Sequence, residues 1–140
     1  MRITLLSLLI FILASCQQNE LGNKSLISGY WEIKEAKNPK GAVKQYDFVE
    51  TVDFYQLTDN KGIRKKAKPT IKGTFKVSED QEVFRVEETK DTLFLHFETA
   101  YDSRTEAVFE LTEQQMKVKS KSGLIFTYHR FEKINLDEKE

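Results

Sequence analysis

The sequence predicts an all-β protein of eight antiparallel strands, and two observations support this. First, apolar and polar residues alternate over short runs, as where Met116 and Val118 alternate with Lys117 and Lys119. A period of two with one apolar face is typical of half-buried strands. Second, turn residues recur about every ten residues from Ser78 onward, the spacing of a meander folded as a sandwich or a barrel.

The first 15 residues predict a secretory signal peptide. A positive start at Arg2 precedes an apolar run over residues 3–13, and small residues follow up to Cys16. Such a run spans roughly 16 Å as a helix, about half of a hydrocarbon core that is roughly 30 Å thick. The run is therefore too short to be a transmembrane helix.

The tetrapeptide Leu-Ala-Ser-Cys at residues 13–16 resembles the lipobox of bacterial lipoproteins. The resemblance implies cleavage before Cys16 and attachment of palmitate-type acyl chains, so that the membrane is the first partner. Two or three chains, at roughly 0.8 kcal/mol per buried methylene, anchor a protein durably. The alternative is an ordinary signal peptide cut after Ala14 or Ser15, which leaves a free thiol.

The same resemblance implies a location in the cell envelope. Gln17 is not the aspartate that retains lipoproteins in the inner membrane of some bacteria, which favours the outer membrane. Whether the domain faces the periplasm or the cell exterior stays open.

Composition excludes several function classes. Loss of residues 1–15 removes Arg2 from the 22 basic side chains, which leaves 21 against 22 acidic ones and a net charge of −1. Such a chain has no basic field to attract nucleic acid. Cys16 is the single cysteine, so no disulfide can form within the chain and the apolar core alone must hold the fold.

The remaining chain divides into a lipidated cysteine and polar tether (16–26), a β-domain (27–134) and a frayed tail (135–140). The eight predicted strands cover residues 28–36, 46–57, 63–77, 82–89, 92–99, 104–112, 115–121 and 124–132. Residues 104–117 are also rich in helix-forming Glu, Gln, Ala and Leu. A helix there is the alternative, but the alternation of Ala107, Phe109 and Leu111 with Glu106, Val108 and Glu110 favours strands.

Gly29-Tyr30-Trp31 opens the first strand, and Arg130 lies on the last one. This pattern resembles that of lipocalins, and the whole layout is similar to short lipocalin-like lipoproteins of Bacteroidetes-type bacteria. The resemblance implies an eight-stranded antiparallel up-and-down barrel in which Trp31 plugs the closed end and Arg130 packs across it. Stacking of Arg130 on Trp31 would contribute roughly 0.5–2 kcal/mol.

An eight-stranded barrel has an interior just wide enough for side chains or one small ligand. The predicted lumen is almost wholly aromatic and aliphatic, and its residues are Phe54, Phe84, Leu93, Leu95, Phe97, Phe109, Phe126 and Tyr128. The lipocalin resemblance favours a small apolar molecule as the ligand. The alternative is a side-chain-filled barrel without a ligand, acting as an interaction or accessory domain for a protein partner in the envelope.

The sequence contains no recognisable catalytic motif. His96 and His129 lack metal-ligand spacing and are expected on the outer face of strands. Neither a phosphate-binding loop nor a nucleophile elbow is present. We therefore expect no enzymatic activity, no metal and no cofactor. The basic run over residues 61–72 predicts either a solvated sheet edge or a contact for an acidic partner or lipid headgroup.

Overall fold

The computed structural model describes residues 20–133. The predicted signal peptide (1–15), the predicted lipidation site Cys16 and the predicted tail (135–140) lie outside the described residues. The described chain forms a short 3-10 helix at Lys24–Ile27 and ten strands. The strands are β1 (Gly29–Lys37), β2 (Val43–Gln45), β3 (Val52–Thr58), β4 (Lys61–Pro69), β5 (Phe75–Val77), β6 (Glu82–Glu88), β7 (Leu93–Glu98), β8 (Ser103–Leu111), β9 (Gln115–Lys119) and β10 (Ile125–Arg130). Within residues 20–133, no helix has the length and hydropathy needed to cross a membrane.

The strands form one antiparallel sheet, which closes on itself where β1 pairs with β10. Trp31 pairs with Arg130 on one side and Asp53 on the other, so β10 and β3 flank β1 on opposite edges. Ten strands fill only eight positions, because β2 and β3 share one edge of β1 and β5 and β6 share one edge of β4. The fold is therefore the predicted eight-stranded up-and-down barrel, with two wall positions interrupted at residues 46–51 and 78–81.

The predicted strand over residues 63–77 is wrong as a single element. A tight turn at 70–74 divides it into β4 and β5, and the backbone N–H of Gly73 donates to the carbonyl oxygen of Thr70 at 3.0 Å. Gly73 has a φ of 73°, a left-handed conformation that glycine adopts without steric penalty. Phe75 and Val77 therefore belong to β5, a separate strand that the prediction joined to β4.

The chain between residues 103 and 119 forms strands and not the alternative helix. β8 and β9 are joined by a tight turn in which the backbone N–H of Thr112 donates to the carbonyl oxygen of Gln115 at 2.8 Å. Helix propensity is a weak prior that pairing on both edges overrides here, since β8 lies between β7 and β9.

Side chains from seven of the eight positions, all but β4, pack with Ile27 of the 3-10 helix into one core inside the barrel. Each large apolar side chain that is fully buried stabilises the fold by roughly 1.5–3 kcal/mol. The core comprises Ile27, Trp31, Tyr55, Phe84, Val86, Leu93, Leu95, Phe97, Val108, Leu111, Met116, Val118 and Tyr128.

A second, smaller aromatic cluster lies on the outside of the wall. Tyr30 alternates with the buried Trp31 and therefore points outward. Its ring stacks on that of Phe75 with 3.8 Å between centroids, and it also contacts Phe54 at 4.9 Å. Phe131 meets the edge of Phe75 at 5.7 Å. This cluster packs the β4–β5 hairpin against the outer face of β1.

Candidate functional site

One end of the barrel is closed by the 3-10 helix. The helix contacts β3 and β8, which occupy opposite sides of the barrel, so it crosses the opening. Asn23 caps the helix, because its side-chain oxygen accepts a hydrogen bond from the backbone N–H of Ser25 at 2.9 Å. Ile27 is fully buried, and its carbonyl oxygen accepts a hydrogen bond from the indole N–H of Trp31 at 2.7 Å. The helix is thereby attached to the first strand.

Arg130 is the second component of the closed end. Its guanidinium carbon lies 3.8 Å from the centroid of the Trp31 ring. Its nitrogens donate to three backbone carbonyl oxygens, those of Ser28 at 2.8 Å, Leu26 at 2.7 Å and Glu113 at 2.9 Å. One side chain therefore connects β10 to the helix, to the start of β1 and to the β8–β9 turn.

The close approach of Arg130 requires a glycine at position 29. Gly29 has a φ of +131°, and a Cβ added there would lie 2.5 Å from Nη1 of Arg130. Burial lowers the pKa of Arg130, which the charge of Glu113 partly opposes. An arginine guanidinium nevertheless remains charged at neutral pH.

The opposite end of the barrel holds four charged side chains that face inward: Arg64, Glu82, Arg104 and Glu106, here called the mouth cluster. The carboxylate of Glu82 lies 2.5 Å from Arg64 and 2.6 Å from Arg104. The carboxylate of Glu106 lies 3.5 Å from Arg64 and 3.2 Å from Arg104. Each arginine therefore contacts both glutamates, in a ring of alternating charge.

The mouth cluster rests on an aromatic layer. The guanidinium carbons of Arg64 and Arg104 lie 4.7 and 4.3 Å from the centroid of the Phe97 ring. Arg64 also donates to the hydroxyl of Tyr55 at 3.3 Å. Burial raises the pKa of Tyr55 and that of Tyr128, so both phenols are neutral where they face these charges.

The two arginines keep Glu82 ionised. Burial alone would raise the pKa of Glu82, but the hydrogen bond from Arg104 and the charges of Arg64 and Arg104 outweigh it, and the pKa falls below its ordinary 4.5. A second pair adjoins the cluster, where Nζ of Lys66 lies 2.5 Å from the carboxylate of the buried Asp53. Three cations and three anions thus balance in the upper barrel.

A polar pocket of about 250 Å³ opens beside these charges, at the interruption between β5 and β6. It presents donors and acceptors side by side. Its lining residues are Asp53, Arg64, Lys65, Lys66, Ser78, Asp80, Gln81 and Glu82. The site can accommodate a small polar group and satisfy both its donors and its acceptors.

The structure separates the predicted lumen residues into two groups. Phe84, Leu93, Leu95, Phe97 and Tyr128 belong to the core, and Phe126 packs against it. These side chains contact one another, and the first four are at most 1% exposed. They form a packed floor beneath the mouth cluster.

Phe54 and Phe109 were wrongly placed in the lumen. Phe54 alternates with the buried Asp53 and Tyr55, so it points outward and contacts Tyr30. Phe109 falls at a bulge, because the β8–β9 register shifts between Val108 and Glu110. Before that bulge, the residues of β8 that point inward are the register partners of the buried Leu93, Leu95 and Phe97 of β7. These partners are Val108, Glu106 and Arg104.

Those inward β8 residues include Arg104 and Glu106, so the expectation of an almost wholly apolar interior is also wrong. Arg104 pairs with Phe97 and Glu106 pairs with Leu95. One bulge exchanges the faces of a strand. The alternating pattern of β8 runs through Phe109 without interruption, and the sequence contains no separate signal for the bulge. The exchange of faces could therefore not be recognised from the sequence.

Both histidines lie outside the barrel. His96 contacts Thr105 at 2.9 Å and Glu87 at 2.8 Å, and His129 is exposed. Over residues 20–133, no group of three or more His, Cys, Asp or Glu side chains is placed to hold a metal ion.

A small meander barrel, closed at one end by a tryptophan and an arginine and charged at the other, defines a lipocalin-like class of protein. Residues 27–118 match the family model of the lipocalin-like domain. The chain belongs to this family, as the first-strand glycine and tryptophan indicated.

Two solved structures are similar to this chain. A lipocalin-like protein from Bacteroides uniformis is 11% identical with a TM-score of 0.47, over 76% of this chain and 99% of that one. Apocrustacyanin C1 is 12% identical with a TM-score of 0.46, over 81% of this chain and 66% of that one. A search of curated protein sequences found no match.

Proposed function

We propose that this chain is a non-enzymatic binding protein, held in the cell envelope by acyl chains on Cys16, and that its open end binds a small amphipathic molecule by the molecule's polar end. The observation that carries the proposal is the contrast between a packed apolar floor and an open polar pocket of about 250 Å³ above it. Membership of the lipocalin-like family supports a binding role.

The ligand proposed here is amphipathic, whereas the sequence predicted an apolar one. The predicted apolar lining is occupied by its own side chains, whereas the mouth cluster and the pair of Asp53 and Lys66 are partly open to solvent. The apolar part of a ligand would lie outside the barrel, where Phe48 and Ile71 are 85% and 80% exposed. Phe48 lies in the β2–β3 interruption and Ile71 in the β4–β5 turn.

Native mass spectrometry of the gently extracted protein tests anchor and cargo together. We expect a mature chain beginning at Cys16 with added acyl mass, and a second, dissociable mass from the ligand. A Cys16→Ser variant should lose the acyl mass and keep the ligand. An N-terminus at Cys16 without acyl mass would refute the anchor.

Displacement of the amphipathic fluorophore 11-(dansylamino)undecanoic acid tests the pocket. We expect saturable binding that weakens in Arg64→Met and persists in Lys90→Gln, a control at an exposed lysine of the β6–β7 turn. Absence of both bound mass and fluorophore uptake would refute the ligand.

The near-complete burial of Phe84, Leu93, Leu95 and Phe97 specifically favours a second function, that of an interaction domain without a ligand. In that case, cross-linking in intact cells followed by purification should recover one stable envelope protein with this chain. The recovered complex should persist when the Arg64→Met substitution removes part of the mouth cluster.

A further inference from the structure

The outer wall of the barrel carries a second pocket, and we propose that it binds a small aromatic or otherwise planar anion. The pocket is separate from the polar pocket at the β5–β6 interruption, and its volume is about 560 Å³. It lies along β8, between β7 and the β9–β10 turn. Here it is called the side groove.

The side groove exists because of side-chain size and strand length. On the outer face of β8 stand three small residues, Ser103, Thr105 and Ala107, which are paired with the larger Glu98, His96 and Phe94 of β7. Along residues 103–106, β8 has no pairing with β9 in the described chain, since their ladder ends where Ala107 pairs with Lys119. The small side chains of β8 thus form the floor of the groove, and the larger side chains of β7 form one wall. On the other side of the floor, β8 and β9 are unpaired.

The tall wall is aromatic. Phe94 and His96 lie two residues apart on the same face of β7, with ring centroids 6.4 Å apart and planes inclined by 25°. His96 is held in place by Thr105 on one side and Glu87 on the other. Aligned rings of this kind offer a flat surface on which a planar group can stack.

The groove has an excess of positive charge that the protein leaves unpaired. Arg85, Lys119 and Lys121 border it, and none of the three forms an ion pair with another residue in the range 20–133. Glu98 is the one acidic side chain in the lining. In the mouth cluster, by contrast, every charge has a partner.

Hydroxyl groups complete the site. Ser103 and Ser120 line the same groove and can donate to the oxygens of a carboxylate, sulfate or phosphate. Two lysines, an arginine and hydroxyls opposite an aromatic wall therefore match a ligand with an anionic head and a flat body. The free edge of β8 is only four residues long, which favours a small molecule over an added peptide strand.

Phenyl phosphate is a suitable probe, with phenol and inorganic phosphate as the two halves tested separately. We expect saturable binding of phenyl phosphate to the full chain at roughly 1 mM or below, read from backbone amide chemical shifts. The largest shifts should fall at Ser103, Thr105 and Ala107 on the outer face of β8 and at residues 119–121. Either half alone should bind more weakly.

The double variant Lys119→Gln with Lys121→Gln should weaken phenyl phosphate binding roughly fivefold or more, since it removes two charges from the groove. The matched control is Lys72→Gln with Lys76→Gln, which makes the same change of net charge on the β4–β5 hairpin and should leave binding unaltered. These lysines are exposed, so both variants should fold.

Three outcomes would overturn the proposal: no saturable binding of phenyl phosphate, equal weakening in both double variants, or shifts confined to residues 78–82 at the polar pocket. Because the probe, the variants and the affected residues differ from those of the mouth experiment, either site can fail without the other.

Discussion

The two ends of the barrel both use arginine, but in different ways. At the closed end Arg130 donates to three backbone carbonyl oxygens and covers Trp31. At the open end Arg64 and Arg104 bind the side chains of Glu82 and Glu106. Backbone acceptors are fixed by the fold, whereas side-chain acceptors can rotate away. The arginine of the closed end is therefore tied to the fold itself, whereas the ion pairs of the open end can rearrange.

Substitution of Trp31 should have the largest effect. Trp31→Ala should lower the free energy of unfolding by about 4 kcal/mol, because it empties the fully buried plug. Urea denaturation followed by far-UV circular dichroism measures this. Trp31→Phe is the control, since it keeps most of the volume and loses the bond to Ile27, and its loss should be clearly smaller. Equal losses would show that the hydrogen bond, and not the volume, is decisive.

Loss of Arg130 should follow closely. Arg130→Met should lower the free energy of unfolding by about 3 kcal/mol, because it leaves three carbonyl oxygens without their charged donor. Trp31 is the single tryptophan, so its fluorescence reports on this end, and we expect its emission to shift to the red as water enters. Arg85→Met, at an exposed position, should change neither stability nor emission. An unshifted spectrum in Arg130→Met would contradict the proposed cover.

The equivalent change at the open end should be milder. Arg64→Met should lower the free energy of unfolding by about 2 kcal/mol, since its side chain is 16% exposed and Arg104 still contacts both glutamates. Trp31 emission should stay as in the unsubstituted protein. A red shift here would mean that the two ends are coupled, and the distinction between them would fail.

The smallest effect should depend on pH. The lowered pKa of Glu82 means that its contribution to stability is present above its ordinary pKa of 4.5 and is lost as the pH falls through the lowered folded value. Glu82→Gln should therefore be less stable than the parent at pH 7 and should show a shallower loss of stability below pH 4.5. Thermal unfolding over this pH range measures it, and the exposed Glu79→Gln should follow the parent curve.

Much of the fold could be predicted from the sequence because strand periodicity is local. The alternation around Leu93, Leu95 and Phe97 matches the buried face of β7. The glycine and tryptophan of the first strand predicted the family correctly. Residues 104–117 form strands as predicted, although their composition favours a helix, because the alternation of Ala107 and Leu111 with their neighbours is the stronger signal.

The mouth cluster could not be predicted, because it depends on long-range register. Arg64 is 18 residues from Glu82, its register partner where β4 pairs with β6, and 42 residues from Glu106, which lies on the non-adjacent strand β8. The bulge at Phe109 then exchanges the two faces of β8, so an amphipathic strand was assigned the wrong inward side. The β4–β5 turn was missed because its residues continue an alternating pattern.

The way the chain enters the barrel has a mechanical consequence. Before the 3-10 helix begins, the chain forms two backbone hydrogen bonds with Leu111, both at 2.7 Å. The carbonyl oxygen of Glu20 accepts from the N–H of Leu111, and the N–H of Gly22 donates to the carbonyl oxygen of Leu111. A pulling force on the N-terminus would load these two bonds first, while the ladder between β1 and β10 stayed unstressed. Under tension the entry segment would therefore detach first, and the closed wall of the barrel would stay intact.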